Sequence, residues 1–175
     1  MSGYRAFLDE DETNDNYDLT YYHNPKRWKD NLLEETNPIR DINKWSKEIK
    51  YLNKDNTDFS DDIKNLPKDT GGIYIFYIKG LNLLHVENYI LYVGRCQSTD
   101  HQNINKRAKE YLTDKRPRIK KMFRRWKGFL YYRYFPDKDN DAICRNESIL
   151  IRAIAPEYNE EIPDKIEIIP AKPAF

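Results

Sequence analysis

The sequence predicts an α+β fold, a small three-stranded antiparallel sheet flanked by helices, with a helical extension on its N-terminal side. Three observations predict it. The runs GIYIFYIK (72–79), NYILYVG (88–94) and FLYYRYF (129–135) are rich in β-branched and aromatic residues, as strands are. Between the second and third runs, and again after the third, apolar residues recur at helical spacing. Fourteen Tyr, seven Phe and three Trp in 175 residues supply enough apolar surface for one packed core.

The elements follow in order. Residues 1–20 are acidic and Asn-rich without a period, and read as disordered. Residues 25–56 hold two weak helical patterns, the second marked by Ile42, Trp45, Ile49 and Leu52. Asp61 or Asp62 is placed to cap a short turn before Leu66-Pro67, and the TGG at 70–72 marks the change to strand. The first two strands then pair as a hairpin with a loop of about nine residues. In this pairing Tyr74 shares a side with Phe76 and Ile78, and Tyr92 shares one with Ile90. A helix over 103–112 turns Ile104, Ala108, Tyr111 and Leu112 to one face. Pro117 starts a second helix, in which Ile119, Met122, Phe123 and Trp126 form an apolar stripe among six basic residues, and Gly128 stops it. The third strand follows, and a last helix over about 141–154 ends at Pro156. The order β-β-α-α-β-α divides the chain into an extension (1–65), a domain (66–160) and a tail (161–175).

Charge narrows the partners. Thirty Lys and Arg oppose twenty-nine Asp and Glu, a net charge of +1, yet residues 104–134 hold twelve basic and only two acidic side chains. Such a block fits a polyanion, most often nucleic acid, although a solvated surface offset by acidic flanks would read the same way. No apolar run approaches the ~18 residues a membrane span needs, and no leader-like stretch opens the chain, so a cytoplasmic protein without membrane contact is expected. Cys96 and Cys144 build neither a disulfide framework nor a four-ligand zinc site. His23, His85 and His101 lack metal-ligand spacing, and no Walker loop, HExxH or dinucleotide loop is present. Glu48-Ile49-Lys50 matches the E-x-K triplet of one metal-dependent enzyme class, but inside a helical pattern and without a convincing upstream acid.

Taken alone, the polar residues leave choices open. Glu147 falls on the apolar face of its helix with Ile143, Leu150 and Ile151, where a carboxylate needs a cation: an arginine in an internal salt bridge or a divalent ion. Tyr74 and Tyr92 read equally as core residues with a hydroxyl reaching water. Arg107 reads as a helix-surface arginine.

Their order is what carries a resemblance. Gly72-Ile73-Tyr74 opens the first strand, Tyr92-Val93-Gly94 closes the second, Arg107 and Tyr111 stand one turn apart on the next helix, and Glu147 precedes Pro156 by nine residues and Asn159 by twelve. Over residues 66–160 this resembles the GIY-YIG nuclease superfamily, with the R-x-x-x-Y spacing of its excision-repair branch. One departure is the CQSTDHQN insertion, which lengthens the step from Gly94 to Arg107.

The resemblance implies a metal-dependent endonuclease acting on DNA, in a restriction, mobile-element or defence setting. A repair or junction-processing subunit is the alternative, and a non-catalytic binding module on the same fold is the rival of another class. It implies one Mg²⁺ or Mn²⁺ held by Glu147, Tyr74 as general base, Arg107 on the scissile phosphate, Tyr92 and Tyr111 as orienting groups, and Asn159 holding the geometry. Arg95 is placed to touch a phosphate, while Arg118, Lys121 and Arg125 on the basic helix would contact double-stranded DNA through its backbone. A single such site cuts one strand, so double-strand cutting would call for a homodimer on the substrate or two sequential events.

Overall fold

The computed structural model describes residues 36–83 and 86–160. Its centre is the long strand β2 (Gly71–Leu83), which pairs with β3 (Val86–Cys96) on one side and β4 (Leu130–Asp137) on the other, all antiparallel. A short β1 (Ile49–Lys50) adds to the far side of β4, so the order is β1-β4-β2-β3. The sheet thus has four strands rather than three. The fold is α+β, with α1 (Asp61–Lys64), α2 (Ile104–Glu110), α3 (Pro117–Trp126) and α4 (Asn140–Ile154) around the sheet.

The fourth strand corrects the helical reading of 42–52. Asn37 and Asp41 cap single 3-10 turns at Pro38–Arg40 and Ile42–Lys44, and the chain beyond them is extended. Pairing with β4 supplies the backbone bonds that a helix would have made internally: Ser46 N donates to Tyr134 O at 2.8 Å and Tyr51 N to Leu130 O at 3.0 Å. The Glu48-Ile49-Lys50 triplet is therefore extended, with Ile49 and Lys50 on an edge strand, and not in a helix. The first helical pattern, over 25–33, lies outside the described residues. Strands β2 and β3 run further toward each other than the expected nine-residue loop allows, with Leu83 opposite Val86. Ser60, rather than Asp61 or Asp62, caps α1, its Oγ accepting from Ile63 N.

Two apolar layers enclose the sheet. On one face Tyr74, Phe76, Tyr92 and Tyr132 pack under α2 and α3 with Tyr111, Met122 and Phe123. On the other, Ile73, Val93 and Phe135 meet Ile143, Leu150 and Ile151 of α4. The helix stripes of α2 and α3 are buried as their spacing predicts. Tyr51, Phe59 and Ile63 belong to the first layer and Ile39 to the second, so packing runs unbroken across residues 65 and 66. Tyr51 is wholly enclosed and donates its hydroxyl proton to Ala108 O at 2.6 Å.

A bulge in β3 decides which residues face α2. Phe76 pairs with Tyr92 but Tyr77 pairs with Ile90, so Leu91 is the extra residue. Simple alternation puts Tyr92 with Ile90. The bulge instead sends Ile90 to the α4 face and Tyr92 to the face of Tyr74. It also leaves the Leu91 carbonyl to accept from Tyr158 N at 3.0 Å, which fastens the segment after α4 along this edge.

Candidate functional site

The residues singled out by sequence gather where β3 ends, around Gly94. Tyr74 and Gly94 are direct partners in the ladder. A Cβ on Gly94 would lie 2.6 Å from Cζ and Oη of Tyr74, so the missing side chain is what lets the phenol ring lie across the strand. Gly72 is needed for a different reason: its φ of +141° and the Phe135 carbonyl, 2.1 Å from any added Cβ, admit no side chain.

Tyr74 is fully enclosed. Its hydroxyl shares a 2.6 Å hydrogen bond with the Tyr111 hydroxyl and accepts from Arg107 Nε at 3.0 Å. Burial pushes the Tyr74 pKa well above that of a free phenol, and the nearby Arg107 guanidinium offsets only part of this. Tyr111 is raised for the same first reason, burial, with Tyr74 and Tyr92 adding to it. Arg107 comes from α2, whose Asn103 N-cap accepts from Lys106 N at 2.9 Å and fixes the helix start after the inserted loop. Its guanidinium lies 5.2 Å from the Tyr111 ring centroid and pairs with Glu110 at 2.7 Å. Tyr92 closes the aromatic group, 5.7 Å from Tyr111 between centroids.

Glu147 projects from α4 on the other side of the strand end. Its side chain is 15% exposed and bound to Arg95 Nη1 at 2.6 Å. An arginine beside a carboxyl lowers its pKa and burial raises it. Here burial wins and the Glu147 pKa is raised, against the opposing pull of Arg95 and then Arg107. The second oxygen, Oε1, accepts no hydrogen bond among the described residues. No group of three His, Cys, Asp or Glu converges among the described residues. The described residues therefore offer a cation one hard carboxylate oxygen that no protein donor engages. That donor fits an ion such as Mg²⁺, which keeps several waters and takes further oxygens from a phosphate.

The raised Glu147 pKa has a consequence for stability. A carboxyl that holds its proton more tightly when folded contributes stability below the unfolded value of about 4.3 and loses it as pH rises through the folded value. The stability of wild type relative to Glu147→Gln is expected to fall from pH 4 to pH 7 in denaturant titrations. A constant difference would show that burial does not dominate at this carboxylate.

Asn159 is a clamp. Its Oδ1 accepts from Val93 N at 3.0 Å and its Nδ2 donates to Val93 O at 2.8 Å, the two-bond pattern of a strand partner. Arg118 donates to Asn159 O at 2.7 Å and so serves this clamp from an exposed position. Lys121 is exposed on the outer face of α3, and Arg125 is half-buried beside Tyr158. Cys96 lies close by, but burial pushes its thiol up to about 12, which leaves it inert at neutral pH.

Three participants were not singled out by sequence. Tyr132 stacks on Tyr74 at 5.6 Å and 24°, and its buried hydroxyl finds no partner among the described residues. Asp114 and Arg116, in the turn before α3, form an ion pair at 2.7 Å whose guanidinium lies against Tyr92 and Tyr111. Only the sign of the basic block pointed toward Arg116; nothing in the sequence distinguishes it from its eleven basic neighbours.

No family model, curated protein or solved structure was found to match this chain. No helix among the described residues is long and apolar enough to cross a membrane.

Proposed function

We propose that the protein is a divalent-metal-dependent endonuclease that hydrolyses phosphodiester bonds in DNA, with a catalytic domain of GIY-YIG type. The observation that carries this reading is the gathering of Tyr74, Tyr111 and Arg107 on one side of the β3 end and of Glu147, through Arg95, on the other. These groups come from β2, from α2 and the 3-10 turn Tyr111–Thr113 that continues it, and from α4, and are drawn from the same residues whose order suggested a nuclease.

Each residue then has a task. Glu147 would hold Mg²⁺ or Mn²⁺ through its open oxygen, and the bound ion would supply Lewis-acid polarisation of the phosphate and stabilise the leaving oxygen. Arg107 lends its guanidinium to the charge that grows on the phosphate. Tyr74 would act as general base once added cationic charge at the site outweighs the burial that holds its phenol protonated, and Arg107 supplies part of that charge. Tyr92 and Tyr111 orient these groups and Asn159 ties the segment after α4 to β3. The outer face of α3, with Lys121 and Arg124 exposed, supplies sequence-independent contacts to the DNA backbone.

The complete enclosure of the Tyr74 hydroxyl favours a second reading, a nucleic-acid-binding module on the same fold that does not cut. Incubating the protein with supercoiled and single-stranded DNA separates the two. The nuclease reading expects nicked or fragmented DNA with Mg²⁺ or Mn²⁺ and none with EDTA. DNA retained intact in a gel shift, with no cutting by either metal, supports the binding module. The same lanes report biology that the fold leaves open: nicking fits a monomer, and linear product without a nicked precursor fits a homodimer on the substrate. A restriction, mobile-element or defence role is the setting we propose for such an activity, ahead of repair or junction processing.

A further inference from the structure

Arg116 is tied into the aromatic group from outside. Asp114 holds it on one edge, accepting from Nε at 3.1 Å through both oxygens and from Nη2 at 2.7 Å through Oδ2. The remaining Nη1 donates to the Tyr92 hydroxyl at 3.4 Å, and the guanidinium carbon sits 5.9 Å from the Tyr92 ring centroid and 5.8 Å from that of Tyr111. Arg107 lies over the same Tyr111 ring. A turn arginine needed only to neutralise Asp114 has no reason to fold back over two site tyrosines. Its side chain remains 38% exposed, so the fork meets both the rings and the solvent. Burial pushes the Asp114 carboxyl up, but the hydrogen bonds and charge of Arg116 bring it below the usual carboxylate range, so the pair stays ionised.

We propose that Arg116 is a second phosphate-binding arginine, preorganised by Asp114, which takes the phosphate next to the one held by Arg107 on the same nucleic-acid strand. This deepens the reading above and rests on it. The two guanidiniums share one aromatic ring, the charge block around them is cationic, and a planar fork already held on one edge gives up little freedom when an anion arrives. Basic helix α3 begins at the next residue, so a strand engaged at Arg116 continues onto its exposed cations.

The test measures binding of a short oligonucleotide in EDTA, across a salt series, by wild type, Arg116→Gln and Arg116→Lys. Arg116→Gln should bind about tenfold more weakly and lose close to one unit of salt slope, while Arg116→Lys keeps the slope. A second arm needs no variant: phenylglyoxal modification of the wild-type protein, mapped by peptide mass, should be suppressed by the oligonucleotide at Arg116 and unchanged at exposed Arg145. An unchanged slope in Arg116→Gln, or equal modification of Arg116 with and without oligonucleotide, overturns the assignment, and the footprint still decides it if the variants do not fold. Loss of slope without any cleavage by wild type would keep Arg116 and sink the nuclease. Cleavage by wild type with an unmoved slope would do the reverse.

Discussion

Alanine at position 94 is expected to lower stability by about 2–3 kcal/mol and to remove whatever activity depends on Tyr74. The added Cβ would sit 2.6 Å from Cζ and Oη of Tyr74 and 2.7 Å from Cε2, closer than van der Waals contact permits. The ring has nowhere to go. Its hydroxyl is held by Tyr111 and Arg107, its face stacks on Tyr132, and its edge meets Phe76 at 6.3 Å. Either β3 moves away from β2 or the hydroxyl network breaks. Gly128→Ala is the matched control, because there the Cβ would meet only the side-chain amide of Asn56, at 3.0 Å, which can swing aside. Denaturant melts of the two variants should differ by more than 1 kcal/mol. Equal melts would mean that Tyr74 is not fixed as described.

Replacing Arg107 is the second large effect, and it should fall on rate rather than on fold. Arg107→Lys keeps a positive charge near Tyr111 but loses the fork that bonds Tyr74 through Nε and Glu110 through Nη1 together. Loss of one preorganised donor to a developing oxyanion lowers rate about a hundredfold to a thousandfold, and we expect both Arg107→Lys and Arg107→Ala in that range under single-turnover conditions. Binding of DNA in EDTA should weaken far less, because the proposed reading assigns most backbone contacts to α3. If Arg107→Lys cuts at the wild-type rate, a point charge suffices there and the geometric role is wrong.

How much of this was legible in the sequence depends on the range of the interactions. The stripes Ile104-Ala108-Tyr111 and Ile119-Met122-Phe123-Trp126 are local signals, and both are buried. Strand β1 was misread because Ile42, Trp45, Ile49 and Leu52 happen to fall at helical spacing, while the partner that makes the segment extended, β4, lies some eighty residues later. Tyr92 and Ile90 fall on opposite faces, not the same one, because a bulge at Leu91 breaks the two-residue period, and no residue type announces it. Glu147 was visible as a carboxylate on an apolar face; that its cation is Arg95, fifty-two residues away, was one of two open readings. The Asp114–Arg116 pair, by contrast, depends on where a turn aims a side chain.

The central claim is that Glu147 serves chemistry rather than stability. The most direct measurement is cleavage of supercoiled DNA by wild type, Glu147→Ala and Tyr74→Phe in Mg²⁺ and in Mn²⁺, with melting curves on the same samples. The account predicts cutting by wild type and a loss of at least about a thousandfold in Glu147→Ala, with Tyr74→Phe also impaired and both variants folded. A folded Glu147→Ala protein that cuts as fast as wild type would contradict it, and would return Glu147 to an internal partner of Arg95.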